Sequence, residues 1–196
     1  RSPARDLLSI PSPKKFIQPA FKKSVLMFCL LFSLASAKGQ IDSLSVDSIT
    51  GRSCADGGDA VNYNVLSLTP TTATLEEIPS SGCLTTGDEI LLINLQGTNS
   101  NYDNVGNYET LKVESISGSV VTFKTAKTKY YGDNGADSNL GVDDGTQRVM
   151  LQRVPNYSDV TVASGANFTP TAWDGDKGGV MFFRASGAVS IVGNIH

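Results

Sequence analysis

The feature that most constrains this chain is a cadence. From Val61 to the end, short runs with apolar side chains at alternate positions are separated by clusters of Gly, Asn, Asp, Ser and Pro. No segment longer than a turn carries the 3.6-residue apolar period of an amphipathic helix. Alternation of period two puts successive side chains on opposite faces of a strand, so the texture predicts an all-β fold.

Each run adds a detail. In "VNYNV", Val61, Tyr63 and Val65 share one parity and two asparagines take the other. "TATLEEI" continues the alternation, and "PSSGCLTTGD" is dense turn chemistry. "EILLINLQG" differs, because Ile90, Leu91, Leu92 and Ile93 are apolar without a break and are bounded by Gly87-Asp88 and Gly97. A run this short reads as a strand buried on both faces, near the centre of a barrel or sandwich. In "YETLKVESISGSVVTFKT", Leu111 and Val113 alternate with Lys112 and Glu114, and Val121 and Phe123 with Thr122 and Lys124. Gly118-Ser119 between them fits a two-residue hairpin with Gly at its first central position. Parity slips at Ile116, which predicts a bulge near Ser115. "TQRVMLQRVPNY" is a strand ended by Pro155. "SDVTVASGANFTPTAWDGDKGG" gives a short strand, then turns, then Trp173 before a Gly-rich corner.

The closing stretch "GGVMFFRASGAVSIVGNIH" holds two strand-like runs around Ser186-Gly187, with Val189, Ile191 and Ile195 on one parity. It reads as a half-buried strand cut short, as at the front of a longer repetitive protein. The expected architecture is a small β-barrel or sandwich over residues 61–155, followed by the start of a β-solenoid or second sheet over residues 156–196. Residues 38–60, polar and without a sustained period, read as a linker and entry loop.

The leading segment has a different character. Lys22 and Lys23 precede the apolar run "SVLMFCLLFSL", and Ala35-Ser36-Ala37 follows it. A basic start, a short apolar core and a small-x-small site describe a secretory signal peptide, with cleavage after Ala37. The run is too short to span a bilayer, which needs about 20 apolar residues. A buried helix is the competing reading, but no amphipathic partner lies nearby. Residues 1–37 are therefore expected to be an upstream extension plus a signal, leaving no transmembrane span in the mature chain.

Charge and cysteine content follow from that division. The chain has 16 Lys+Arg and 19 Asp+Glu; residues 1–37 hold six of the bases and one of the acids, so the remainder carries ten against eighteen, a net of −8. Such an acidic chain is a poor partner for nucleic acid or anionic membrane. Cys54 and Cys83 remain after cleavage. In an exported protein, two cysteines point to one disulfide, the alternative being two free buried thiols.

The available chemistry is narrow. The sole histidine is His196, so no Ser-His-Asp or Cys-His pair and no His-rich zinc site can form within the preceding residues. No phosphate-cradling G-x-x-x-x-G-K-[ST] stretch is present. Carboxylate-pair hydrolysis needs two acids to converge, and no sequence pattern brings them together. No catalytic residues are expected. The acidic loop "YYGDNGADSNLGVDDG" is the candidate for a metal: Asp133, Asp137, Asn139, Asp143 and Asp144, with Asn134, supply the hard oxygen donors calcium prefers. Its spacing is not that of an EF-hand, and a solvated loop is the plain alternative. Trp173, Tyr130 and Tyr131 are candidates for stacking on a sugar ring, with Tyr102 and Tyr108 nearby in sequence; aromatics also plug barrel mouths and cap cores.

"CADGGDAVNYNV", "GCLTTGDEILLINLQG", "NVGNYETLKVESISGSVVTF", "RVPNYSDVTV" and "WDGDKGGVMFFRASGAVSIVGNI" occur in that order. Together they resemble the N-terminal region of large secreted surface proteins of gliding bacteria, of the gliding-motility-associated or adventurous gliding-motility type. The resemblance spans about residues 54–195. It implies a glycine- and β-rich region beginning at the last motif, and it carries no catalytic residues. The expected function is a non-enzymatic exported surface domain, secreted or at the cell surface, forming the N-terminal part of a larger adhesin-like or gliding-associated protein. Its partners would be surface glycans or extracellular matrix. The alternatives are a carbohydrate-binding module, or the non-catalytic front end of a secreted polysaccharide-active enzyme.

Overall fold

The computed structural model describes Leu44–Ser45, Arg52 and residues 54–196; the signal-peptide expectation falls outside the described residues. The described chain is all-β. A two-residue strand, β1 (Leu44–Ser45), comes first. Six strands follow: β2 (Asn62–Leu68), β3 (Thr72–Leu75), β4 (Glu89–Gln96), β5 (Tyr108–Ser117), β6 (Val120–Phe123) and β7 (Arg148–Arg153). They pair antiparallel in the order β2-β3-β6-β5-β4-β7, and β7 returns to β2 through Asn62↔Gln152 and Tyr63↔Leu151, closing a barrel. Closure satisfies every strand edge within the ring, where an open sheet would leave two unpaired.

The alternating pattern sets the interior. Tyr63, Val65, Leu75, Ile90, Leu92, Val113, Phe123 and Leu151 point inward and form one buried cluster. The hairpin turn between β5 and β6 is two residues long, since Ser117 pairs with Val120, and Gly118 takes a positive φ of 58° there. The register slips between Val113 and Ser115, a bulge where the parity break predicts one. β4 lies between β5 and β7, and Ile90, Leu91 and Leu92 are all essentially inaccessible. Two-sided burial has a specific cause here. The outer face of β7 is covered by later chain: the Gly178 amide donates to Met150 Sδ at 3.3 Å, and Gln152 Nε2 donates to the Val180 carbonyl at 3.4 Å. Leu91 pairs with Gln152 on that same covered face.

After Pro155 the pairing changes character. β8 (Asn156–Tyr157), β9 (Val160–Val162) and β10 (Asn167–Phe168) are followed by β11 (Arg184–Ala185), β12 (Val189–Ile191) and β13 (Asn194–Ile195). The second three pair parallel with the first three, in order: Asn156↔Arg184, Val160↔Val189 and Asn167↔Asn194. The offsets are 28, 29 and 27 residues, so one strand triplet is laid over another as successive coils of a β-solenoid. Tyr157, Val160, Val162, Ala166 and Phe168 fill the first coil, with Met181 and Phe183 packed against them. The Phe168 and Phe183 rings meet at 5.3 Å, tilted 56°. At the corner after β12, a Cβ on Gly193 would collide with the carbonyl oxygens of Ala163 and Ala166 in the coil beneath, so only glycine permits that approach.

Polar ties join barrel and coil. Arg184 grips Glu89 through Nε and Nη2, at 2.7 and 2.6 Å. Asp59 accepts from Arg153 at 2.9 Å and from the Tyr157 hydroxyl at 3.1 Å. The entry segment is anchored as well: a disulfide links Cys54 to Cys83, Arg52 pairs with Asp88 at 2.5 Å, and β1 runs antiparallel to the edge of β9 opposite β12.

Candidate ligand site

The turn-rich segment after β10 forms one wall of a polar cleft. Asp174 Oδ1 accepts the amides of Asp176 and Lys177, the Asp174 amide donates to the Lys177 carbonyl, and the Gly179 amide closes back on the Thr171 carbonyl. These bonds follow from the Asp-Gly-Asp-Lys-Gly-Gly order, in which Asp caps its own turn and glycines supply positive φ at positions 175, 178 and 179. Arg148 of β7 meets Asp176 at 2.7 Å and moors the loop to the barrel. Trp173 is held near the tip of this closed loop and is 43% exposed.

Beside the loop is a cavity of about 300 Å³. Its walls come from both sides: Ala55, Asp56, Val61, Asn62 and Glu77 from the entry segment and barrel, Thr171, Asp174 and Lys177 from the loop. Asp56 is fixed there. Its carboxylate accepts from the Tyr63 hydroxyl at 2.8 Å and the Ser80 amide at 2.7 Å. Burial pushes this acid up, but the hydrogen bonds from Ser80 and Tyr63 outweigh it and hold it below the ordinary carboxylate range. Burial and the neighbouring carboxylate push the Tyr63 phenol far above its usual range, so it stays a neutral donor. The cavity thus presents amide, hydroxyl, ammonium and carboxylate groups together, a set able to donate to and accept from a polar ligand.

The other residues singled out from sequence fare differently. Tyr131 is completely buried: its ring lies in the barrel cluster and its hydroxyl donates to Glu109 at 2.9 Å. This corrects the stacking role expected of it, because barrel closure takes the ring for the core. Tyr130 is 54% exposed with Lys127 Nζ 5.3 Å from its ring centre, and it does not line the cavity beside Trp173.

Several donors of the acidic loop are engaged within the protein. Asp133 accepts from Gln147 at 2.7 Å and from Asn139 at 2.9 Å; Asp137 accepts the Tyr131 amide and pairs with Lys127. Asn139 takes a positive φ of 58° and spends its amide on Asp133 and on the Gly145 carbonyl. Asp143 offers its main-chain carbonyl to Thr146 and Arg148, and Asp144 is exposed. Among the described residues, no three acids, histidines or cysteines converge as a metal site. The carboxylates of Asp133 and Asp137 bind the loop to itself and to the barrel.

Glu109 is a polar centre that sequence reasoning missed. It gathers the Thr128 and Lys129 amides and the hydroxyls of Thr128 and Tyr131. Burial raises this acid, yet those donors lower it more, and the net shift is downward. Asp56, Asn62, Glu77 and Lys177 around the cavity were likewise not singled out, since they are spread over more than a hundred positions of chain and share no motif. The one available signal was the Trp-Asp-Gly-Asp-Lys order, whose turn chemistry implies a constrained loop.

No protein-family model matches the sequence, and a search of curated proteins finds no match. Three solved structures are similar over part of their length. The tailspike protein gp49 from Pseudomonas phage LKA1 is 19% identical over 66% of this chain and 17% of its own, with a TM-score of 0.28. The Pseudomonas phage phi297 tailspike gp61 is 22% identical over 65% of this chain and 18% of its own, with a TM-score of 0.27. The gp54 tailspike of Acinetobacter baumannii bacteriophage AP22, solved in complex with A. baumannii capsular saccharide, is 13% identical over 79% of this chain and 24% of its own, with a TM-score of 0.28. The chain spans less than a quarter of each, and superpositions this loose assign no activity.

Proposed function

We propose that this chain is a non-enzymatic, exported surface module in which a barrel heads a β-solenoid, serving contact with surface glycans or matrix. The observation that carries this reading is the set of three parallel strand pairs, β8 with β11, β9 with β12 and β10 with β13, at offsets of 27–29 residues. Solenoids of this kind extend by adding coils and offer long faces for binding. Here Val189, Ile191 and Ile195 in the second coil stand over Val160, Val162 and Phe168 in the first. The lower row is at most 2% exposed and the upper row 42–50%, the pattern a third coil would cover. The Cys54–Cys83 disulfide and the signal-like segment before Lys38 support an oxidising, extracytoplasmic location. The motif order, which resembles that of surface proteins of gliding bacteria, is in keeping with the same placement, as part of a larger adhesin-like or gliding-associated protein.

Fractionation of cells expressing the chain, with sequencing of the mature N-terminus, tests the export reading. The expected result is protein outside the cytoplasm beginning at Lys38. Retention in the cytoplasm with residues 1–37 intact would overturn it.

A further inference from the structure

We infer that the cavity between the barrel and the Trp173 loop is a binding site for a saccharide unit bearing a free amine. This deepens the glycan-contact reading above and rests on it only for where such a ligand is met. The size is right for a small ligand: about 300 Å³ is at the lower end of the usual range for ligand pockets, roughly 300–1,000 Å³. The walls are polar and mixed, with Asn62, Thr171 and Lys177 able to donate and Asp56, Glu77 and Asp174 able to accept. Sugar hydroxyls, each both donor and acceptor, suit such a lining.

Charge narrows the class further. Three acidic residues and one lysine line the cavity. Although Asp56 and Asp174 already accept hydrogen bonds from the protein, the excess of negative charge favours a cationic group over an anionic one. Asp56 is already committed to Tyr63 and Ser80, which fixes its position, while Glu77 lines the cavity and is exposed. A protonated amine meeting a carboxylate makes a charge-assisted hydrogen bond, stronger than a neutral one. Trp173 belongs to the same loop as the lining residues Thr171, Asp174 and Lys177 and is 43% exposed. The loop is held before any ligand arrives, by its internal bonds and by Arg148, so little ordering cost remains at binding.

Isothermal titration calorimetry of the purified chain is run with a glucosamine tetramer and, separately, with its fully N-acetylated counterpart. Saturable change is expected with the free-amine tetramer, at an affinity about tenfold higher than for the acetylated one, as for one charge-assisted bond. Added salt should weaken the free-amine complex and leave the acetylated one nearly unchanged. Glu77→Gln, an exposed position whose replacement should leave the melting temperature unaltered, should reduce that preference at least threefold. No saturable signal, equal affinity for both tetramers, or an undiminished preference in Glu77→Gln would each overturn the site. Because the assay uses purified folded chain, failure here is separate from failure of the export reading.

Discussion

The barrel and the coil that follows it are both built from strands, yet they end their hydrogen bonding in opposite ways. The barrel turns its sheet back on itself, so β7 meets β2 and the inner faces of all six strands share one core. The coil pairs β11, β12 and β13 with the strands below them, and no strand among the described residues pairs with their other side. Equivalent aliphatic residues then have different fates. Leu92 in the barrel is wholly inaccessible, whereas Ile191 in the second coil is 42% exposed. Closure makes the worth of an apolar residue independent of what lies beyond; in an open repeat that worth depends on the neighbour.

Core truncation should break the contrast most strongly. Leu92→Ala should cost about 2–5 kcal/mol of barrel stability in chemical denaturation, while Ile191→Ala should cost about 0.5 kcal/mol or less. Similar losses at both positions would mean that the second coil is covered in solution. Next in size is the disulfide, which should contribute about 3 kcal/mol by the chain-entropy account. Denaturation of the Cys54→Ser, Cys83→Ser double variant measures it, and hydrogen exchange should show protection lost in the barrel more than in β8–β13.

Acid sharpens the same comparison through the carboxylates. Glu109 within the barrel, Glu89 on the ion pair with Arg184 and Asp56 at the cavity are all held below their ordinary values of 4.5 and 3.8. Each favours the folded state while ionised. Their contribution is therefore present above those ordinary values and is lost as pH falls through the lower folded ones. Urea melts at descending pH should show stability falling below about pH 4, and Glu109→Gln should flatten that fall. The smallest expected effect is that of chelation. With the oxygens of Asp133 and Asp137 already engaged, excess EDTA should leave the melting temperature unchanged; a drop would restore the acidic loop as a calcium staple.

Much of the fold was legible locally. The Gly118-Ser119 turn, the bulge before Ser115, the end of β7 at Arg153 shortly before Pro155 and the all-β class come from period-two alternation and turn chemistry, which act between near neighbours. The doubly buried run expected from Ile90 to Ile93 was legible for Ile90 to Leu92, while Ile93 is only half-buried, and what covers the outer face, the segment around Gly178 and Val180, was not legible. The Cys54–Cys83 bridge is the expected one of two readings, the other being two free thiols, and both rest on removal of the segment that carries Cys29. The site residues were less accessible to local reading. Tyr130 and Tyr131 are adjacent in the loop between β6 and β7, yet one is exposed and the other is taken into the core, where its hydroxyl donates to Glu109.

What the sequence alone determined, then, is the set of local rules: where strands run, where they turn, and which side chains prefer the interior. Tertiary structure decided three things those rules leave open. It chose a closed barrel over a sandwich, because closure depends on β2 finding β7 across 80 and more residues of chain. It stacked the last strands parallel at a spacing of 27–29 residues, a relation no short window contains. And it gathered Asp56, Glu77 and Lys177 around one cavity, because a site is a meeting of distant segments, fixed only when burial and hydrogen bonding bring those segments into contact.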